Sequence, residues 1–321
     1  MVDMPTSVQI NEEGPREGFQ IETAPIATAR KIELIDALSR TGLRHLQIVS
    51  FVNPKAVPGM ADAEAVVAGI TPQPGVTYSG LWLNEQGFER ARATGRLHLQ
   101  GSLSLNASTA FLARNQNKTP DQQLATQRAM IAMYRKHGVA VERAGIMAAF
   151  GCNFEGDIAA GPVLDLVRTL LDLAAENGIT LKRFSLADTM AWATPIAVKR
   201  LVGAVRDRFP DLPLSLHLHD TRGMGVANAY AGLEMGISWF DTAVGGLGGC
   251  PFAGHAGAAG NLCTEDLVFM CDEMGIATGV DLEALIACAR LAEEIVGHPL
   301  PSSVAKGGSL RRLRDRIGAR A

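Results

Sequence analysis

The chain has 321 residues, 47% of them hydrophobic, and a formal net charge of −3. That length suits one large barrel or two medium domains with ample core, and the slightly acidic balance gives no reason to expect nucleic acid. No apolar run approaches the roughly eighteen residues that span a membrane. Five cysteines at irregular spacing suit a reduced, cytoplasmic compartment rather than a disulfide framework, and the opening MVDMPTSVQI has neither the charged nor the apolar region of a secretory signal.

Short apolar runs alternate with segments of helical period along the chain. The first four strands are expected at 8–11, 45–50, 77–83 and 97–103, and the last four at 144–150, 183–186, 214–219 and 239–243. Helices are expected at 29–41, 61–70, 85–93, 120–137, 162–177, 195–209, 225–235 and 264–274. Gly42, Gly138, Gly178, Gly236 and Gly275 stand where a left-handed cap would close a helix, and Pro120, Pro162 and Pro195 suit a first turn. Eight strand–helix units predict a TIM (β/α)8 barrel over residues 1–280. A helical extension, 281–321, carries extra C-terminal helices at 281–296 and 303–317 and packs on that barrel. A doubly wound sheet is the alternative, but no glycine fingerprint follows the first strand.

In such a barrel the active site forms at the C-terminal ends of the strands. Arg16 and Glu17 follow the first strand, Gln47 and Ser50 end the second, and Asp188 follows the sixth. The seventh closes as PLSLHLHDTRGMG, with His217 and His219 two apart on one side of the strand, roughly 6.6 Å along the chain. Two such imidazoles can ligate one divalent ion. After the eighth strand comes VGGLGGCPFAGHAGAAGN, where Gly245, Gly246, Gly248, Gly249, Gly254, Gly257 and Gly260 surround Cys250. Such glycine density lets backbone bend freely and approach a ligand. The plainer alternative is a pair of half-exposed histidines on a strand end.

At these residues the chain resembles the 3-hydroxy-3-methylglutaryl-CoA lyases, within the wider group of barrel metal lyases and Claisen-type synthases. The likeness runs from about Val8 to Val280. It is carried by EEGPREGFQ, SFVNPKAVPGMAD, HLHDTRGMGVANA and GLGGCPFA...GNLCTEDLVFM, the last being the most specific because of its loop cysteine. The resemblance implies a carbon–carbon lyase acting on an acyl-CoA. It places the metal ligands on Glu17, His217, His219 and Asn261, the catalytic arginine on Arg16, the loop cysteine on Cys250 and a supporting aspartate on Asp188. The ion implied is Mg²⁺ or Mn²⁺. Arg16, Gln20 and Ser50 are the candidate substrate contacts, and Gln47 joins Arg16, Glu17, Cys250, His217 and Asp188 among the candidate catalytic residues. The expected partners are an acyl-CoA substrate and further copies of the chain in a homodimer or higher oligomer, with no nucleic acid and no membrane.

The chemistry asks for these residue types. Cleavage between C2 and C3 of a 3-hydroxyacyl-CoA needs a base for the hydroxyl and a partner for enolate charge on the thioester. A divalent ion lowers the hydroxyl pKa, a carboxylate or imidazole takes the proton, and an arginine holds the thioester oxygen. A thiol on a glycine loop can protonate the acetyl-CoA carbanion or shut out water. The chain departs from the lyase pattern at Glu17, where the family has Asp, and at Gln47, where it has Glu. Phe154 stands for a usual Tyr and Trp192 lies in a stretch usually richer in glycine. These departures, expected at the substrate end of the barrel, keep open a citramalyl-CoA or a longer-chain glutaryl analogue as substrate. A 2-oxo acid synthase and a binding barrel without catalysis are the other readings. Asp220 can simply cap a turn, and Cys152, Cys263, Cys271 and Cys288 read as small buried hydrophobes.

Overall fold

Polar caps and prolines set where the helices start. Thr119 accepts from the Gln122 N–H while the Gln122 side chain returns to Thr119, and Pro120 fills the first turn. Asn84, Ser108, Thr194 and Asp281 accept from the opening turns of their own helices. Gly42, Gly138, Gly178, Gly236 and Gly275 all take positive φ, as their place after a helix requires.

The computed structural model describes residues 4–249 and 260–318. In chain order the first half comprises β1 (Gln9–Glu12), α1 (Gly14–Ile21), α2 (Thr28–Leu38), β2 (His45–Ser50), α3 (Ala63–Gly69), β3 (Thr77–Leu81), α4 (Glu85–Ala93), β4 (Gly101–Asn106), α5 (Thr109–Gln116) and α6 (Pro120–Lys136). There follow β5 (Val141–Met147), a short hairpin of β6 (Gly151–Cys152) and β7 (Gly156–Asp157), α7 (Ala160–Glu176), β8 (Arg183–Ala187) and α8 (Pro195–Arg208). The remainder is β9 (Leu214–His217), α9 (Gly225–Glu234), β10 (Trp239–Thr242), α10 (Thr264–Glu273), α11 (Leu282–Val296), α12 (Ser303–Gly307) and α13 (Leu310–Gly318).

Eight parallel strands, ordered β3-β2-β1-β10-β9-β8-β5-β4, curl into the (β/α)8 barrel. Its apolar core lies between strands and helices, where Leu216, Leu218, Phe184, Leu186 and Phe240 are fully buried. The alternate positions turn inward, and there the barrel is polar: Asn11, Arg183, Ser185 and Asp241 line its interior. Buried polar groups need partners, and Asp241 finds them in Asn11 and Arg183. Among the described residues no helix is long and apolar enough to cross a membrane.

The expected strands fall within three residues of the observed ones except around β4, expected at 97–103. Leu97 and Leu99 share the parity of Leu103 and Leu105, so alternation could not say where the ladder begins. The helices α1 and α5 were not anticipated. The final helix, expected as one, is broken where Gly308 takes φ +76°.

Candidate active site

Strand β1 sets the floor of the site. The Glu13 N–H donates to the Thr242 carbonyl at 2.8 Å, so the strand pairing continues one residue past Glu12. Glu13 keeps the inward parity of Asn11 and hangs beneath the barrel mouth. The chain then turns directly into α1, whose first turn presents Arg16 and Glu17. Gly18 lets this helix lie on the loop after β10: a Cβ there would come 2.8 Å from the Leu247 Cβ.

Three separate edges of the Arg16 guanidinium are held. Its Nε donates to Gln47 Oε1 at 2.5 Å, Nη1 to Glu17 Oε1 at 2.6 Å and Nη2 to Glu13 Oε2 at 2.5 Å. Beside it the imidazoles of His217, at the end of β9, and His219, just past it, meet Nε2 to Nε2 at 3.1 Å. An isolated bridge joins His219 to Asn261 across the neck of the glycine loop. From there the Asn261 amide donates to Glu17 Oε2 at 2.6 Å and to the Leu247 carbonyl at 2.9 Å. Gly248, at φ +83°, allows this closeness, since a Cβ would lie 2.7 Å from both Asn261 Nδ2 and Glu17 Cβ.

Charge sorts these groups. Burial alone would raise the pKa of Glu17, but Arg16, His217 and His219 outweigh it and bring it down to about 2. His217 loses solvent too, yet contact with Asp241 and the charges of Glu17 and Glu13 push it up to about 9. Its Nδ1 faces Asp241 Oδ2 at 3.5 Å and Glu13 Oε2 at 3.8 Å. His219, buried beside that cation, falls to about 4 and stays neutral. Burial raises Glu13, only partly offset by Arg16.

Glu17, His217 and His219 each offer a donor atom within 4.8 Å of the others. Neighbouring ligands of an octahedral ion at about 2.1 Å lie about 3.0 Å apart, which fits the 3.1 Å between the two Nε2 atoms. The donor set, one carboxylate and two imidazoles with an amide alongside, can therefore hold a divalent cation. Above it opens a cavity of about 650 Å³, lined near the charges by Gln20 and Gln47 and on its walls by Trp82, Leu83, Phe111 and Met130. A mostly apolar cleft with a few convergent polar groups is the form of a small-molecule site.

Residues 7–292 match the model of the HMGL-like family. The chain is 40% identical, over 93% of its length and 96% of the relative's, to a hydroxymethylglutaryl-CoA lyase of Bacillus subtilis (strain 168). It is 38% identical to a Pseudomonas aeruginosa protein named 3-hydroxy-3-isohexenylglutaryl-CoA/hydroxy-methylglutaryl-CoA lyase, over 95% of this chain and 98% of that one. This chain belongs to the HMGL-like family. Its fold is similar to that of an Acenitobacter baumannii HMG-CoA lyase solved with coenzyme A and 3-methylmalate, with a TM-score of 0.83, 39% identity, and coverage of 96% of this chain and 97% of that one.

In this HMGL-like barrel Arg16, Glu17, Gln20, Gln47, His217 and His219 gather at one cavity, with Asn261 behind Glu17. The Gln20 Oε1 is buried there with no hydrogen-bond partner among the described residues. Asp188 sits outside the lining. Its Oδ1 accepts from the Trp192 and Ala193 N–H groups at 2.7 and 2.9 Å, burial raises it to about 6, and its own N–H holds the His217 carbonyl at 2.8 Å. Through that bond it supports the end of β9. Ser50, a candidate substrate contact, is fully buried and does not line the cavity. Cys250 lies outside the described residues. Phe154 and Trp192 do not face the cavity as expected: Phe154 lies under the Arg114 guanidinium, and the Trp192 indole donates to Asn153. Glu13 and Asp241 were missed. Their signal was the inward parity of a polar residue in a barrel strand, readable in QINEEG for Glu13 only once the register of β1 is known, and in WFDTAV for Asp241.

Proposed function

We propose that this chain is a divalent-metal-dependent carbon–carbon lyase that cleaves a 3-hydroxy-3-methylglutaryl-CoA-type thioester to acetyl-CoA and a keto acid. The observation that carries the reading is the convergence of Glu17, His217 and His219 beside a three-edged Arg16 at the C-terminal mouth. Family membership and the named activities of the relatives support the reaction.

Glu17, His217 and His219 would hold the cation, with Asn261 orienting Glu17. When bound, the cation lowers the pKa of the substrate hydroxyl and steadies it. Arg16 takes the thioester oxygen as enolate charge grows, a stabilisation aimed at the transition state. Glu17, held to so low a pKa, is the poorer base; His217, whose Nδ1 is backed by Asp241 and Glu13, can accept the hydroxyl proton only while its Nε2 is off the cation. The apolar walls seat the acyl chain and keep water from the carbanion. Cys250 is assigned the returning proton by resemblance, and the bound partner is an acyl-CoA.

The test is release of acetyl-CoA from 3-hydroxy-3-methylglutaryl-CoA by protein stripped with a chelator, then reloaded with Mg²⁺ or Mn²⁺. Activity should vanish on stripping and return on reloading. Full activity of the stripped protein defeats the metal assignment, and no acetyl-CoA under any metal defeats the reaction. A longer branched glutaryl thioester belongs in the same assay, because the Pseudomonas aeruginosa relative is named for two such substrates.

A further inference from the structure

Between the guanidinium of Arg16 and the imidazole of His217 runs a continuous polar chain through the barrel floor. Glu13 Oε2 accepts from Arg16 Nη2 at 2.5 Å, and Glu13 Oε1 accepts from Asn11 Nδ2 at 2.7 Å. The same Asn11 amide donates to Asp241 Oδ1 at 3.0 Å, and Asp241 Oδ2 faces His217 Nδ1 at 3.5 Å. Asp241 is further fixed by Arg183, 3.5 Å away and laid over the Trp239 ring. Asn11, Glu13, Asp241 and Arg183 are buried almost completely, with Glu13 and Asp241 in the floor of the cavity.

We propose that Glu13 is a positioning residue for the reaction. It fixes the outer edge of Arg16 and, through Asn11 and Asp241, locks the arginine and the His217 ring into one rigid arrangement. Without it Arg16 keeps only Gln47, a neutral acceptor on Nε, and Glu17, which the cation would share. The guanidinium then turns on its long side chain, and the point that should meet the thioester oxygen is lost. Misplacement of a reacting group by about 1 Å costs about 10²-fold. The inference rests on the lyase reading for its kinetic arm alone.

The position of the negative charge around Arg16 can be moved. Gln47 Oε1 already sits 2.5 Å from Arg16 Nε, so a carboxylate at 47 restores an ionic partner on the opposite edge. Glu13→Gln should lower kcat about 10- to 100-fold while KM moves much less. The Glu13→Gln/Gln47→Glu double variant should recover most of that loss, and Glu13→Asp should fall between parent and Glu13→Gln. A second readout needs no substrate: the rate at which phenylglyoxal modifies Arg16, followed by peptide mass, should rise in Glu13→Gln and fall again in the double variant. Thermal melting and Mn²⁺ binding of each stripped protein separate this effect from misfolding and from metal loss. Equal kcat in parent and Glu13→Gln overturns the proposal. So does a double variant no faster than Glu13→Gln at matched melting temperature, or Arg16 reactivity that ignores all three substitutions. If the parent cleaves no thioester, the lyase reading falls and the phenylglyoxal series still decides the role of Glu13.

Discussion

Glu12 and Glu13 are neighbours in the chain and equally buried, yet they belong to opposite sides of the barrel wall and to opposite kinds of chemistry. Glu12 points outward, where its carboxylate accepts from the Gly14 and Val244 N–H groups at 2.8 and 2.9 Å and from the Thr264 hydroxyl. Glu265, from α10, meets the Gly245 N–H in the same seam at 3.0 Å. Among the described residues no cation pairs with either, and burial raises both to about 7. On the inner side Glu17 is just as enclosed but stands between Arg16 and two imidazoles, and it goes down to about 2. Depth is common to both regions; the sign of the neighbours decides which carboxylates work as charges and which serve as nearly neutral acceptors for a loop.

The sharpest way to break the contrast is on the inner side. Arg16→Lys keeps a positive charge but loses the fork that meets Gln47, Glu17 and Glu13 at once. It should cost about 10²- to 10³-fold in kcat, the range for one oxyanion donor, with KM less affected. Steady-state rates within a factor of about two of the parent would show that the guanidinium only builds structure.

On the outer side the effect is on stability. A carboxyl at about 7 when folded, against 4.5 when unfolded, favours the fold fully below the unfolded value. That contribution is lost as pH rises through about 7 and changes no further above it. For a shift of this size it amounts to about 3 kcal/mol. Denaturant melts of the parent at pH 5 and pH 8 should therefore show a stability loss that Glu12→Gln makes smaller, while Glu265 keeps its own share. A variant with the same pH slope as the parent means that Glu12 titrates normally.

The smallest effect tests where the two sides differ in proton content. His217 is held at about 9 by its acidic neighbours, so near neutral pH a cation must displace one proton from it. Apparent Mn²⁺ affinity should climb about tenfold per pH unit until about 9, with one proton released per ion. Titration calorimetry in two buffers of different ionisation heat reads that number, and a pH-independent affinity would contradict the assigned charge state.

Much of this contrast was readable in the chain itself. Periodicity with turn glycines and prolines located the eight strand–helix units, and the His217–His219 pair, Arg16 and Glu17 stood at strand ends where barrel sites form. What stayed hidden was orientation. Glu12 and Glu13 look alike in NEEGPREG, and only the pairing of β1 with β10 sets which of them turns inward. Helix α1 was hidden because two glycines and a proline in eight residues carry weak helical preference; it forms because its contacts with β2 and the loop after β10 decide the matter. Phe154 and Trp192 misled for a related reason: both follow β5 and β8 at the correct end of the barrel, but the hairpin of β6 and β7 turns them aside from the cavity.

The hydrogen-bonded order of the sheet begins at β3 and ends at β4, and among the described residues no ladder joins those two strands. One backbone bond, from the His98 N–H to the Tyr78 carbonyl at 2.8 Å, and the Trp82 indole on the Tyr134 hydroxyl stand across the gap. Mechanically this is a hoop with a single unlatched joint. Its other seven joints resist tension with rows of parallel bonds, so widening of the mouth costs least here, across the ring from β10 and β9 and two strands along from β1. The reacting groups are thereby placed on the stiff half of the ring, and the compliant half is left to fit the cargo.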